Sequence, residues 1–178
     1  DVDGEDVVLE IGPGLGQLTF DLSRLAKRVI AVEFDKKLFS ILSTYAKDVT
    51  NILLVHDDFL KFNLREFVPK NQRIKVISNL PYYISTSVIL KLFAHSECIS
   101  SAILTLQKEV ADRLIAKPSS KEYGSLTLFS EFHSQIRRLF NISKNSFYPV
   151  PKVDSTVIDL KMREAPPAPA VDKNDLFD

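Results

Sequence analysis

Five short apolar runs recur along the first part of the chain: Val7 to Ile11, Val29 to Val32, Ile52 to Val55, Ile74 to Ile77 and Ala102 to Leu106. Each is four or five residues long and bounded by polar residues or glycine, as strands buried within a parallel sheet are. The stretches between them carry apolar residues at helical spacing. Leu15, Leu18, Leu22 and Leu25 are predicted to line one face, Leu38, Ile41, Leu42 and Tyr45 a second, and Val88, Leu92 and Phe93 a third. Strand and helix alternating in this way predict an α/β layer fold with helices on both faces of a mostly parallel sheet.

The rhythm changes further on. Ser125 to Phe132 reads as a helix, and Ile136 to Ile142 and Val153 to Met162 read as strands joined through Tyr148-Pro149-Val150-Pro151. An antiparallel hairpin closing one edge of the sheet is expected. Beyond Met162, Arg-Glu-Ala-Pro-Pro-Ala-Pro-Ala reads as a stiff extended linker, which places a domain over residues 1–163 and a linker over 164–178. Such a linker should lead onward, and Asp1 stands six residues before the first strand, so further material is expected at both ends.

A chain of 178 residues is one domain's worth and should bury roughly 68 to 70% of its unfolded surface. The single Cys98 has no internal partner, and no CxxC or His/Cys cluster offers a metal site, so no metal is expected. A reducing, cytoplasmic setting is the natural expectation. No apolar run approaches the roughly 18 residues of a membrane span, and the opening residues do not read as a charged, apolar, small-residue signal series. Lys plus Arg number 23 and Asp plus Glu 23, so the formal charge is 23 − 23 = 0. That balance runs against a nucleic-acid partner, because backbone phosphates reward an excess of cations.

Three of the five glycines fall in one loop, Glu10-Ile11-Gly12-Pro13-Gly14-Leu15-Gly16, between the first strand and the first helix. Glycine there allows a sharp turn and a close approach by a ligand. The dinucleotide pattern G-x-G-x-x-G fails, because Gln17 stands three residues after Gly14. G-x-G-x-G preceded by an acid suits S-adenosylmethionine, which has no pyrophosphate to cradle; an ordinary tight turn is the alternative. Glu33, at the end of the second strand, can accept from both hydroxyls of a ribose or be a solvated strand end. Asp58 can accept from an adenine amine while Phe59 covers the ring, or serve as a helix N-cap. Phe59, Phe62 and Phe67 also fit the core. All these acids sit at the carboxyl ends of successive strands, where open α/β sheets bind ligands.

Ser78-Asn79-Leu80-Pro81-Tyr82-Tyr83-Ile84-Ser85 follows the fourth strand. The exocyclic amine of a nucleobase is a poor nucleophile because its lone pair is delocalised into the ring. Two fixed acceptors that take its N–H groups favour a pyramidal nitrogen and stabilise the positive charge that develops during methyl transfer. The side-chain carbonyl of Asn79 and the backbone carbonyl of Leu80 can be those acceptors. Pro81 holds the turn by fixing φ, and Tyr82 offers a face for an extruded base. A plain turn leading into a helix at Ser85 is the alternative. His56, His95 and His133 lie on unrelated elements, and Lys108, Arg113, Lys117, Lys121, Arg137 and Arg138 are scattered as on a solvated face.

Together these segments resemble the rRNA adenine N6,N6-dimethyltransferases of the KsgA type. The resemblance spans essentially the whole chain: Glu10 to Gly16, Val32-Glu33-Phe34-Asp35, Asp58, Asn79-Leu80-Pro81-Tyr82, Gln107-Lys108-Glu109-Val110-Ala111-Asp112-Arg113-Leu114, Tyr123-Gly124-Ser125-Leu126, and Phe147-Tyr148-Pro149-Val150-Pro151-Lys152-Val153-Asp154-Ser155. It implies a Rossmann-like class I S-adenosylmethionine-dependent methyltransferase fold with a seven-stranded, mostly parallel sheet. It implies two methylations on each of two adjacent adenosines of small-subunit rRNA, within a pre-ribosomal particle, by a monomer. Gly12, Gly14, Glu33, Asp58, Phe59 and Asn79 would then face the cofactor, Asn79 and Tyr82 the target adenine, with Leu80 and Pro81 shaping that turn and Phe147 forming the second wall.

The Erm-type large-subunit enzymes are the nearest alternative. A noncatalytic ribosome-assembly or transcription-factor paralogue is another, set against the intact Asn79 and glycine loop. The family's Gln- and Phe-rich N-terminal motif and its C-terminal helical domain are absent here, and Tyr83 replaces an Asn common in the family. Much of the family's basic RNA surface is expected in those terminal extensions, which would reconcile the neutral charge with an RNA substrate.

Overall fold

The computed structural model of the protein describes residues 1–164, so the expected linker lies, Glu164 apart, outside the described residues. The strands are β1 (Val7–Ile11), β2 (Arg28–Glu33), β3 (Ile52–His56), β4 (Ile74–Asn79), β5 (Ile99–Gln107), β6 (Ser134–Ile142) and β7 (Ser155–Met162). The helices are α1 (Gln17–Leu25), α2 (Lys36–Ala46), α3 (Ser85–Ala94), α4 (Lys108–Leu114) and α5 (Ser125–His133). One seven-stranded sheet runs in the order β3-β2-β1-β4-β5-β7-β6. β1 to β5 pair in parallel, and β7 is antiparallel to both β5 and β6. This is the Rossmann-like class I methyltransferase fold expected from the sequence. The order reverses between β1 and β4, the kind of switch point at which a crevice opens above the carboxyl ends of the strands.

Alternate residues of a strand face opposite sides, and the core divides accordingly. Leu9, Ile11, Ile30, Val32 and Val76 enter the larger cluster with Val88, Leu92 and Phe93 of α3. Val8, Val29 and Ala31 enter a smaller one with Leu22 and Ala26. The three residues expected to face inward from α3 are buried, but two other helix faces need correction. Leu15 is 58% and Leu25 57% exposed, leaving Leu22, Ala26 and half-buried Leu18 to cover the sheet. Leu15 precedes the helix proper, and Leu25 stands at its last turn, off the Leu18-Leu22-Ala26 stripe. On α2 the buried positions are Leu42 and Ala46, while Ile41 and Tyr45 face water. That helix packs against β2 and β3 at the sheet margin, where only a narrow stripe is covered.

The hairpin forms as expected, with β6 starting at Ser134 rather than Ile136 and β7 at Ser155 rather than Val153. α4 follows β5 without a loop, and its short span carried no recognisable helical period. Among the described residues no helix is long and apolar enough to cross a membrane, and no group of three His, Cys, Asp or Glu side chains is placed to hold a metal.

Candidate active site

Gly12, Gly14 and Gly16 all adopt positive φ, at 67°, 61° and 85°. At Gly16 an added Cβ would meet the buried Leu42 Cδ1 of α2 and the Phe20 ring, so packing adds to the backbone's preference for glycine. At Gly14 nothing would meet the added carbon within 4 Å, because this residue faces open space. The loop is laced to β2: Gly12 N donates to Val32 O at 2.9 Å and Gly14 N to Glu33 Oε2 at 3.0 Å. Glu33 Oε1 accepts from Asp35 N at 2.8 Å. Both carboxylate oxygens of this buried residue are thus held by backbone N–H groups, and about two of the roughly four acceptor positions of a carboxylate remain. Asp35 in turn caps α2, accepting from Lys37 N and Leu38 N at 2.7 and 3.0 Å, which holds its carboxyl below the usual range.

Glu10 stands apart. It is 2% exposed, its Oε2 has no hydrogen-bond partner, and the buried Thr19 hydroxyl beside it has none either. Burial pushes its carboxyl up to about 7, against a downward pull from the Thr19 hydroxyl and with a smaller upward push from the charge of Glu33.

After β3, Asp58 Oδ1 accepts from Leu60 N at 2.9 Å, and Asp58 O accepts from Lys61 N and Phe62 N at 2.8 and 2.9 Å. Phe59 is 3% exposed and belongs to the larger core, with its ring 6.2 Å from that of Phe62. After β4, Ser78 Oγ donates to Ile11 O at 2.5 Å and Leu80 N to Thr105 O at 3.2 Å. Pro81 closes over the glycine loop, its Cδ and Cγ 3.4 Å from where a Cβ on Gly12 would stand. The turn is therefore fixed to β1 on one side and β5 on the other.

These loops enclose a cavity of about 540 Å³ at the carboxyl ends of β1 to β4, within the usual range for small-molecule sites. Of the residues singled out from the sequence, Gly12, Gly14, Glu33, Asp58, Phe59 and Pro81 line it. Asn79, Leu80, Tyr82 and Phe147 do not. Asn79 is exposed at the end of β4, its side chain without a hydrogen-bond partner among the described residues, and Leu80 buries its side chain in the core. The Tyr82 hydroxyl and Ser155 Oγ share a hydrogen bond of 2.7 Å, tying this turn to the first residue of β7. Phe147 is half-buried after the short 3₁₀ turn Lys144–Ser146, with no ring contact to Tyr82.

Among the lining residues without a site assignment from sequence are two exposed aromatics, Phe34, 67% exposed, and Tyr83, 83% exposed. Phe34 directly follows Glu33, and Tyr83 follows Tyr82, but an exposed aromatic cannot be told from a core aromatic by composition. The histidines are dispersed: His56 lies against Phe39, His95 Nδ1 meets Lys91 O at 3.0 Å, and His133 stacks on Phe93.

The family model described as ribosomal RNA adenine dimethylase matches residues 1–178. Ribosomal RNA small subunit methyltransferase A of Bacillus licheniformis is 42% identical over 163 residues, which is 89% of this chain and 56% of that protein. The chain thus spans a little over half the length of this curated relative. Among solved structures, a dimethyladenosine transferase from Plasmodium falciparum superposes with a TM-score of 0.81 at 33% identity, covering 92% of this chain and 58% of that one. The 23S rRNA methyltransferase ErmE gives a TM-score of 0.81 at 28% identity over 96% of this chain and 66% of its own.

Proposed function

The chain belongs to the ribosomal RNA adenine dimethylase family, and from that premise we propose that it dimethylates the N6 amines of two adjacent adenosines in small-subunit rRNA during ribosome biogenesis, with S-adenosylmethionine as donor. The cavity carries this reading, since it joins the glycine loop, the Glu33 carboxylate and the Asp58 loop at the switch point of the sheet. Its residues fit the cofactor. Gly14 leaves open the space that a Cβ would fill, Glu33 presents immobilised acceptors to a ribose, and Asp58 has a second carboxylate oxygen beyond the one that Leu60 occupies. The donor supplies, when bound, a methyl group activated by a sulfonium.

The chain's own residues do the rest. Asn79 Oδ1 and the Leu80 carbonyl accept the two N–H groups of the target amine, which localises its lone pair and stabilises the growing positive charge. The clamped turn fixes the backbone from which both acceptors project, through Ser78 on one side and Leu80 N on the other. Tyr82 offers its ring to the extruded base, and its hydroxyl, bonded to Ser155, anchors the far end of the side chain. Phe147 forms the opposite wall. No general base is needed, because the ammonium product is acidic enough to lose its proton to water. Residues 1–163 hold this machinery, the segment 164–178 leads toward a helical domain, and the protein works as a monomer in the cytoplasm.

The reading is tested by methylating unmodified small-subunit rRNA or its particle with labelled donor and mapping the product. Asn79→Ala should lower turnover at saturating donor about 10²-fold or more. Turnover near that of the unaltered protein would refute the role of Asn79, and label confined to large-subunit rRNA would refute the substrate.

A further inference from the structure

Lys91 lies on α3, about 9 Å along the helix from Ser85, where the helix emerges from the Asn79 turn. Its ammonium donates to three carbonyls of the loop after β3: Phe59 at 2.7 Å, Leu60 at 3.1 Å and Phe62 at 2.6 Å. It also stands 5.0 Å from the centroid of the Phe59 ring. An ammonium has three N–H groups, and here all three go to backbone. None goes to a carboxylate, although the charges of Asp58 and Asp57 reach it and oppose the lowering of its pKa by burial. A lysine whose every donor is spent on one short loop is poorly explained as a solubilising surface charge.

The peptide joining Phe59 to Leu60 shows what the lysine accomplishes. A trans peptide is planar, with its C=O and N–H on opposite edges. Lys91 holds the carbonyl edge, at Phe59 O, and the amide edge, Leu60 N, donates to Asp58 Oδ1 at 2.9 Å. The orientation of the Asp58 carboxylate is therefore set, through one rigid plane, by a cation on α3. The same helix begins at the Asn79 turn, so the two walls of the cavity are referred to a single element.

The geometry points to Lys91 as a positioning residue, one that presents the Asp58 carboxylate to the nucleoside end of the cofactor through the Phe59–Leu60 peptide. This rests on the reading that the cavity binds S-adenosylmethionine. The test uses the intact protein, with S-adenosylhomocysteine titrated by calorimetry and methyl transfer followed on unmethylated small-subunit rRNA. Lys91→Met should weaken S-adenosylhomocysteine about 10-fold or more and raise the donor KM correspondingly. The kcat at saturating donor should stay close to that of the unaltered protein. Lys91→Arg, which keeps charge and donors, should recover part of the affinity, and Lys91→Gln, which keeps two N–H groups, should fall between. Asp58→Asn should cost much less affinity when Lys91 is already Met than when it is Lys. Unchanged affinity in both Lys91→Met and Lys91→Gln, or full additivity with Asp58→Asn, would overturn the assignment. An unaltered protein that binds no S-adenosylhomocysteine would instead overturn the cofactor reading.

Discussion

Replacing Glu10 by Gln should stabilise the ligand-free protein, and increasingly so as the pH rises through the range in which the carboxyl ionises. Glu10 is 2% exposed with one oxygen unpartnered, and burial together with Glu33 raises its carboxyl from an ordinary 4.5 to about 7. The folded state therefore retains a proton that the unfolded chain releases. Below the unfolded value both states are protonated and no penalty exists. Between 4.5 and about 7 folding becomes progressively less favourable, and above 7 the full cost of a buried charge is present. At 1.36 kcal/mol for each tenfold change in proton affinity, the interval 7 − 4.5 = 2.5 amounts to about 3 kcal/mol, a substantial part of a domain's stability.

Glutamine keeps the shape of the protonated acid and cannot ionise, and its amide offers Thr19 Oγ1 the donor that hydroxyl lacks. Urea unfolding of both proteins at pH 5 and pH 8 measures the effect. The advantage of Glu10→Gln should be about 2 to 3 kcal/mol larger at pH 8 than at pH 5. An advantage of equal size at the two pH values, or one that shrinks as pH rises, would show that the Glu10 carboxyl is solvated or paired in the folded protein.

Gly16→Ala should cost about 2 to 5 kcal/mol, combining left-handed backbone strain with a clash against Leu42, whereas Gly14→Ala should cost only the strain, about 1 to 2 kcal/mol. Thermal unfolding of the two variants should rank them in that order, and equal losses would refute the packing argument. Tyr82→Phe removes the hydroxyl bonded to Ser155 and should lower stability by about 1 kcal/mol. RNA affinity, measured by filter binding, should fall far less in Tyr82→Phe than in Tyr82→Ala, since phenylalanine keeps the stacking face; equal losses would show that the hydroxyl rather than the ring meets the target.

The strands of this protein are legible in its sequence because strands inside a covered parallel sheet are mostly apolar over their few residues, and each of β1 to β5 carries such a run, interrupted by polar residues such as Glu10 and Lys75. The glycine loop and the Asn79 turn are legible for a related reason: each is a contiguous segment whose residues act on their own backbone. Helical spacing identified apolar stripes on α1 and α2 but not how far the sheet covers them, and Leu15, Leu25, Ile41 and Tyr45 accordingly face water. The hairpin of β6 and β7 could be read locally. That its second strand, rather than its first, pairs with β5 could not, because strand order is a choice among nonlocal partners.

Glu10, Phe59 and Lys91 mark the same boundary. The acid before the glycine loop reads as part of a cofactor pattern, the phenylalanine after Asp58 reads as either ring cover or core, and nothing in the sequence distinguishes Lys91. Burial left one oxygen of the first without a partner, packed the second into the core at the wall of the cavity, and the fold aimed the third at three carbonyls some thirty residues back in the chain. Periodicity and turn chemistry are properties of neighbouring residues and are written along the chain. Desolvation and hydrogen-bond partnership depend on what the folded chain brings alongside, and they exist only once the sheet has closed.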